Sequence, residues 1–451
     1  MQGKKQLRNL LLNITSCAAT AAVAIAVVFA LTVVLSQSTQ AQTPATGGGW
    51  TEQVLYSFGY LPDGISPSGG LIFDTAGNLY GTTSQGGEYS SNCNLGCGTA
   101  FELTPAAGGG WTHQVLHTFT NNPDGALPSA GLIFDAAGNL YGTTSQGGTY
   151  PYGTVFELMP AAGGKWTEQV LHSFDYTDGW LPSEVLVFDA GGNLYGTTAF
   201  GGTYNQGTVF ELTPTVGGGW TEKALHNFNY SVSRADGWWP ASGLIFDAAG
   251  DLYGTTYYGG ISPNAVSTAS GYGTAFELTP AGGSWTEKML HSFNLNGTDG
   301  TDPTAGLIFD VAGNLYGTTQ TGGVHPCGGD GCGTVFELTP TAGGGWTEQV
   351  LYSFGNGADG AIPSASLIFD AAGNLYGTTV AGGTYSSGTV FELTPATGGR
   401  WTEQVLYSFG NGTDGNTPEA PLIFDATGNL YGTTSGGGTY NRGTAFKLMP
   451  N

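Results

Sequence analysis

Seven times after Leu71 the chain writes nearly the same phrase, Leu-Ile-Phe-Asp-x-x-Gly-Asn-Leu-Tyr-Gly-Thr-Thr. Its Asp falls at Asp74, Asp135, Asp189, Asp247, Asp310, Asp370 and Asp425. A unit recurring every sixty or so residues and built of short apolar runs cannot bury its own faces. It must pack against its neighbours, so the period constrains the fold before any single residue does.

Each unit contains four strand-like runs separated by turn residues. In the first, Leu71–Asp74 is a short apolar run and Thr75–Asn78 a tight turn. Leu79–Thr83 follows, then a variable loop containing Gly86 and Gly87, then Gly98–Pro105, a turn, and Trp111–Phe119. Apolar and polar positions alternate in the last two runs, as half-buried strands require. The expected fold is all-β: a seven-bladed β-propeller with four antiparallel strands per blade. The buried Leu-Ile-Phe-Asp strand is placed innermost and the longer, more polar Trp-Thr-Glu strand at the rim. The first run, Trp50–Phe58, is a fourth strand with no blade before it, and the last unit has only three strands. The expectation is therefore that Trp50–Phe58 completes the seventh blade and leaves no open edge. An open β-solenoid is the competing architecture and offers no account of this missing strand.

Composition sets the context. Charged residues are only 10% of the 451, and 33 acids face 10 bases. Such a surface repels phosphate backbones and anionic lipid, which excludes nucleic-acid binding and leaves no membrane role beyond an N-terminal anchor. Residues 1–41 read as a signal peptide or a retained anchor: Lys4, Lys5 and Arg8 precede an apolar run from Ala18 to Leu35, with a cleavage signal ending at Ala41. Residues 42–49 read as a linker and 50–451 as the propeller, a monomer secreted to the periplasm or cell surface. Cys93 with Cys97 and Cys327 with Cys332 occupy the same loop of two different units. In an exported chain they read as local disulfides. Joint zinc coordination is the alternative, and it is geometrically poor for pairs four units apart.

The phrases Gly-Asn-Leu-Tyr-Gly-Thr-Thr, Gly-Thr-Val-Phe-Glu-Leu-Thr-Pro and Trp-Thr-Glu-Gln-Val-Leu resemble the GloVer repeat over roughly residues 50 to 450. That resemblance implies an exported bacterial tandem-repeat protein of the choice-of-anchor kind, with a propeller fold. It implies no activity and no functional residues. The chain ends at Asn451 with no C-terminal anchor visible, unlike many such proteins.

Most acids sit at four repeating positions: the inner-strand Asp, the Asp of an Asp-Gly-x-x-Pro motif, and the Glu of Phe-Glu-Leu and of Trp-Thr-Glu. A residue present in every blade is most simply a blade-building residue, and Asp-Gly is turn chemistry. The sharper reading puts Asp63, Asp124, Asp178, Asp236, Asp299, Asp359 and Asp414 around the channel mouth, holding Ca²⁺. His117, His172, His226 and His291 share a position with Tyr56, Tyr352 and Tyr407 and read as packing residues. No short metal-ligand spacing, hydrolase elbow or phosphate loop occurs, so no cofactor or catalytic residue is assigned.

The informative residues break the repeat. Trp180, Trp238 and Trp239 stand in the Asp-Gly-x-x-Pro segments of two adjacent units. Phe200, Tyr257 and Tyr258 stand in the Gly-Gly loops of the same units, with Glu184 and Arg234 as unrepeated charges. Both loops lie on one face of a propeller, where function concentrates. Exposed aromatic faces with a few polar groups suit sugar rings or a protein partner. The plainer reading is that these rings cover loop backbone. The leading expectation is a non-catalytic propeller binding a glycan or protein. The alternatives are a polysaccharide hydrolase or lyase pairing Glu184 with Asp178 or Asp236, and a structural envelope component.

Overall fold

The computed structural model describes residues 49–89, 91–230, 236–261, 271–327 and 329–451. The leader lies outside them. Seven antiparallel sheets follow one another around a ring, each in the order inner strand to outer strand. Blade 1 comprises Ile72–Phe73, Leu79–Thr83, Thr99–Pro105 and Trp111–Thr118. The Leu-Ile-Phe-Asp run is innermost, as expected, although only its central two residues form a ladder.

The seventh blade takes its outer strand from the other end of the chain. Trp50–Ser57 pairs antiparallel with Thr444–Pro450, from Trp50 opposite Pro450 to Ser57 opposite Thr444. Hydrogen bonds beyond the ladder continue the seam, Phe58 N–H to Gly443 O at 2.9 Å and Asn451 N–H to Gly49 O at 2.9 Å.

The core lies between blades. Phe119, at the end of the outer strand of blade 1, is fully buried with Leu116 and Tyr80 against Leu132, Leu140, Phe156 and Leu158 of blade 2. Its ring meets Phe156 edge-on at 5.0 Å. The same cluster recurs around the ring and includes the closing seam, where Leu55, Phe58 and Tyr431 meet Leu71, Leu79 and Phe101. Burying one such Phe contributes about 2 kcal/mol over leaving it exposed, so each blade is held chiefly by its neighbour.

The repeated phrase is explained residue by residue. Asp74 accepts from the backbone N–H of Ala76 and Asn78 and from the Asn78 amide, which fixes the tight turn. Tyr80 donates to Asp74 and Glu102, tying that turn to the third strand. Thr83 bonds Thr99 across the ladder, and Thr82 donates to Ala130 O in the next blade. Thr433 repeats the latter bond to Gly69 O and so links blade 7 to blade 1. Blade 7 carries Lys447 where the others carry Glu; it lies 3.9 Å from Asp425 and over the Tyr431 ring.

The Asp-Gly-x-x-Pro segments join blades. The residue before each Pro has a left-handed backbone (Ser66, Leu127, Leu181, Trp239, Asp302, Ile362 and Thr417). Each of the seven donates its N–H to a loop carbonyl of the preceding blade, as Leu127 does to Cys97 and Trp239 to Gln206. The Pro then packs on a glycine there: a Cβ on Gly98 would lie 2.5 Å from Pro128 Cδ. The strain of seven non-glycine residues in this conformation is of order 1 kcal/mol each and is held by the surrounding joint.

Candidate functional site

The aromatic residues that break the repeat converge because of cross-strand register. The first x of Asp-Gly-x-x-Pro faces a residue of the Gly-Gly loop across an antiparallel bridge. In blade 2 that pair is Ala126 and Gln146, and in blade 6 Ala361 and Ala381. In blade 3 it is Trp180 and Phe200, and in blade 4 Trp238 and Tyr258. Blade 4 extends the pairing into a ladder, Gly237–Pro240 against a second strand lengthened to Leu252–Gly259.

The rings form one continuous ledge. Trp180 lies 5.3 Å from Phe200, Phe200 lies 4.9 Å from Trp239, and Trp239 lies 5.3 Å from Tyr257. Trp238 stacks on Tyr258 at 4.7 Å. Tyr152 and Tyr176, which the sequence reading did not single out, extend the ledge beyond Trp180 at 6.2 and 6.1 Å. All eight rings are half-buried, so each keeps part of its surface toward solvent. At the far end stands Asp302 of blade 5. Its carboxylate accepts from Thr321 at 2.6 Å and burial raises its pKa; burial first, and then the Asp302 charge, pushes the Tyr257 hydroxyl up to about 12. Asp302 also breaks the repeat at the second x position, so the rule that found Trp239 could have found it.

A second set of tyrosines occupies the Gly-Gly loops of blades 1, 2, 3, 6 and 7. Tyr89, Tyr150, Tyr204, Tyr385 and Tyr440, each just past a Gly-Gly pair, are 48–73% exposed. Their loops fold out to the end of an outer strand; Tyr150 N–H donates to Ser173 Oγ and Thr439 N–H to Ser57 Oγ. They mark the rim of the face that carries the ledge.

Glu184 does not join the ledge. It stands in the innermost connection, where its carbonyl accepts from Thr143, and its neighbour Val185 packs near Gly131 and Gly243 at the axis. Burial pushes its carboxyl up to about 8, against an opposing hydrogen bond from Ser183. The acids considered as its catalytic partners are engaged elsewhere. Asp178 pairs with His172 at 2.8 Å, and Asp236 with His226 at 3.2 Å. Arg234 lies outside the described residues.

The Asp-Gly carboxylates turn away from the channel mouth. Each meets the His or Tyr near the end of the preceding outer strand and the backbone N–H groups of its own loop. Asp124 binds His117, Thr120 N–H and the Thr120 hydroxyl; Asp359 binds Tyr352 and the N–H groups of Gly355 and Asn356. The expectation of a Ca²⁺-holding ring at the axis has no such ring to rest on. The histidines, read as packing residues, are hydrogen-bonded partners of these acids. What a single strand's pattern hides is that position's neighbour in the next connection.

A third group completes six of the seven junctions. The Glu of Trp-Thr-Glu on the following outer strand faces the same Asp. Glu52, Glu168, Glu222, Glu287, Glu348 and Glu403 each have an enclosed Oε1 without a hydrogen-bond partner among the described residues. Burial, reinforced by the facing Asp, pushes their carboxyls up to about 7.

Both cysteine pairs form local disulfides, Cys93–Cys97 and Cys327–Cys332, in the Gly-Gly loops of blades 1 and 5. Such bonds persist in oxidising compartments.

Comparison with known proteins gives no curated relative that matches. The model of the Gloeobacter/Verrucomicrobia repeat matches residues 89–266 and 262–451. With most of its length so matched, the chain belongs to the Gloeobacter/Verrucomicrobia repeat family.

Proposed function

We propose that this is an exported, non-catalytic propeller that binds a glycan across the aromatic ledge of blades 2 to 4. The observation that carries the reading is the unbroken run Tyr176–Trp180–Phe200–Trp239–Tyr257, with Trp238 stacked on Tyr258 beside it. Sugar rings present apolar C–H faces edged by hydroxyls. A row of half-exposed indole and phenol faces matches the former, and Asp302 supplies an acceptor for the latter. The other blades carry Ile65, Ala126, Thr301, Ala361 and Asn416 at the first x position, so the scaffold itself does not demand rings there. The engagement of Asp178 and Asp236 in junctions favours binding over hydrolysis. The two disulfides agree with an extracytoplasmic location.

The test is a glycan array probed with the 49–451 domain, followed by calorimetry on any hit. Trp238→Ala with Trp239→Ala is expected to weaken binding at least tenfold while melting remains cooperative. Trp180→Ala with Phe200→Ala does the same from blade 3. Binding unchanged in both pairs, or a ligand that is a protein and no glycan, overturns this reading.

A further inference from the structure

The seven junctions between outer strands are built alike but not identically. Four pair Glu with His and Asp: His117–Asp124–Glu168, His172–Asp178–Glu222, His226–Asp236–Glu287 and His291–Asp299–Glu348. Two replace His by Tyr, namely Tyr352 with Asp359 and Glu403, and Tyr407 with Asp414 and Glu52. One replaces Glu by His, placing His113 beside Asp63 and Tyr56.

Among the described residues, His291, Asp299 and Glu348 are the one group of three such side chains whose ligand atoms all lie within 4.8 Å of one another. We propose that this junction, between blades 4 and 5, is a binding site for a divalent first-row transition-metal cation of the Zn²⁺ class. The site comes from three separate segments, which is why no metal-ligand spacing is visible in the sequence.

Three features support the assignment. Glu348 Oε1 is enclosed and has no partner among the described residues, so this junction holds a buried acceptor with nothing to accept from. An enclosed acceptor without a partner is costly, and a bound cation would accept its lone pair. Asp299 is pre-aimed: its Oδ1 accepts from Gly300 N–H at 2.7 Å, and its Oδ2 accepts from Asn294 N–H at 3.1 Å and from the Asn294 amide at 2.7 Å. These are the outer hydrogen bonds that orient a metal-bound carboxylate. His291 Nε2 stands 3.2 Å from Asp299 Oδ2, close enough for both to turn onto one ion in place of their mutual bond. One imidazole with two carboxylates suits Zn²⁺ or its neighbours and leaves a coordination position for water. Ca²⁺ would need several more oxygen ligands.

The test is metal binding by the intact folded 49–451 domain after chelator treatment, at pH 7.5. Equilibrium dialysis against Zn²⁺ is expected to give at least one bound equivalent, and Co²⁺ in its place should give visible d–d absorption bands from a nitrogen–oxygen site. Glu348→Gln and His291→Gln are each expected to weaken Zn²⁺ binding at least tenfold and to alter the Co²⁺ spectrum. Glu403→Gln, at a junction with Tyr in place of His, should leave both unchanged. No stoichiometric Zn²⁺ on the native chain, or binding indifferent to both Glu348→Gln and His291→Gln, overturns the proposal. The result on the native chain needs no variant to fold.

Discussion

The imidazole of His113 stacks on the phenol ring of Tyr56, with centroids 4.5 Å apart and planes 12° from parallel. Tyr56 belongs to the first strand of the chain and His113 to the outer strand of blade 1, so this contact lies on the seam that closes the ring. It is also the one junction where the Trp-Thr-Glu acid is replaced. Burial lowers the pKa of His113, opposed by Asp63 at 3.5 Å, and its Nε2 is enclosed without a partner among the described residues.

His113→Phe is therefore expected to be tolerated, because it keeps the stack and removes an unsatisfied nitrogen; a change within about 1 kcal/mol is expected. His113→Ala loses the stack and leaves a cavity, at a cost of about 2 kcal/mol. A histidine with a depressed folded-state pKa contributes stability above its unfolded value of 6.5 and loses it as pH falls below that. The native chain should thus lose more stability between pH 6.5 and 5 than His113→Phe does. Chemical denaturation of both at several pH values measures this; parallel curves would refute the assignment.

Glu52 and Glu403 act in the opposite sense. Burial first, and then Asp414 or Asp359, raises each carboxyl from 4.5 to about 7 in the folded chain. A raised acid prefers its proton in the native state, so its stabilising contribution is complete below 4.5 and is lost as pH rises through 7. Glu52→Gln and Glu403→Gln mimic the protonated form. Each is expected to raise the melting temperature by a few degrees at pH 8 and to change it little at pH 4.5. Calorimetric scans at the two pH values decide the matter, and an equal shift at both would show that the carboxyl charge is not the cause.

Two glycines separate conformational strain from crowding. Gly77, at φ +88°, is surrounded by open space, and Gly443, at φ +98°, abuts Thr434 O and Pro67 in the joint that closes the ring. Gly77→Ala bears only the left-handed penalty, about 1 kcal/mol. Gly443→Ala must in addition displace backbone and proline, and is expected to cost at least about 3 kcal/mol. Comparable destabilisation of the two variants by urea unfolding would mean that the Pro67 joint gives way without cost.

The architecture was legible because it is written in repetition. The phrase around Asp74 encodes a turn, a ladder and an interblade bond, and the orphan strand Trp50–Phe58 announces the closure seen against Thr444–Pro450. The ledge was legible for the converse reason: Trp180, Trp238, Trp239, Phe200, Tyr257 and Tyr258 depart from the repeat. The junctions were not. His291, Asp299 and Glu348 recur with the blades, and recurrence alone reads as scaffolding. Their convergence depends on the lateral packing of one outer strand on the next, which no period along a single chain specifies. Glu184 departs from the repeat as the rings do, but it stands in the innermost connection and not on the ledge, a placement that comes from packing between blades.

The seam itself is the last test. Asn451 N–H bonds to Gly49 O at 2.9 Å, so the two ends of the propeller meet as the arms of a hairpin do. In other blades the same pair of strands is joined by a short turn, as between Thr389–Ala396 and Arg400–Ser408. Joining Asn451 to Gly49 through two glycines and opening the chain in the turn between Pro105 and Trp111 moves the seam from blade 7 to blade 1 and keeps every blade complete. This permutant is expected to melt cooperatively within a few degrees of the native chain. Deleting residues 49–58 instead exposes Thr444–Pro450 as an unpaired edge and removes Leu55 and Phe58 from the core shared with blade 1. That chain is expected to lose its cooperative transition and to aggregate. A deletion variant that stays monomeric with native stability in sedimentation and melting experiments would show that the ring does not depend on its first strand.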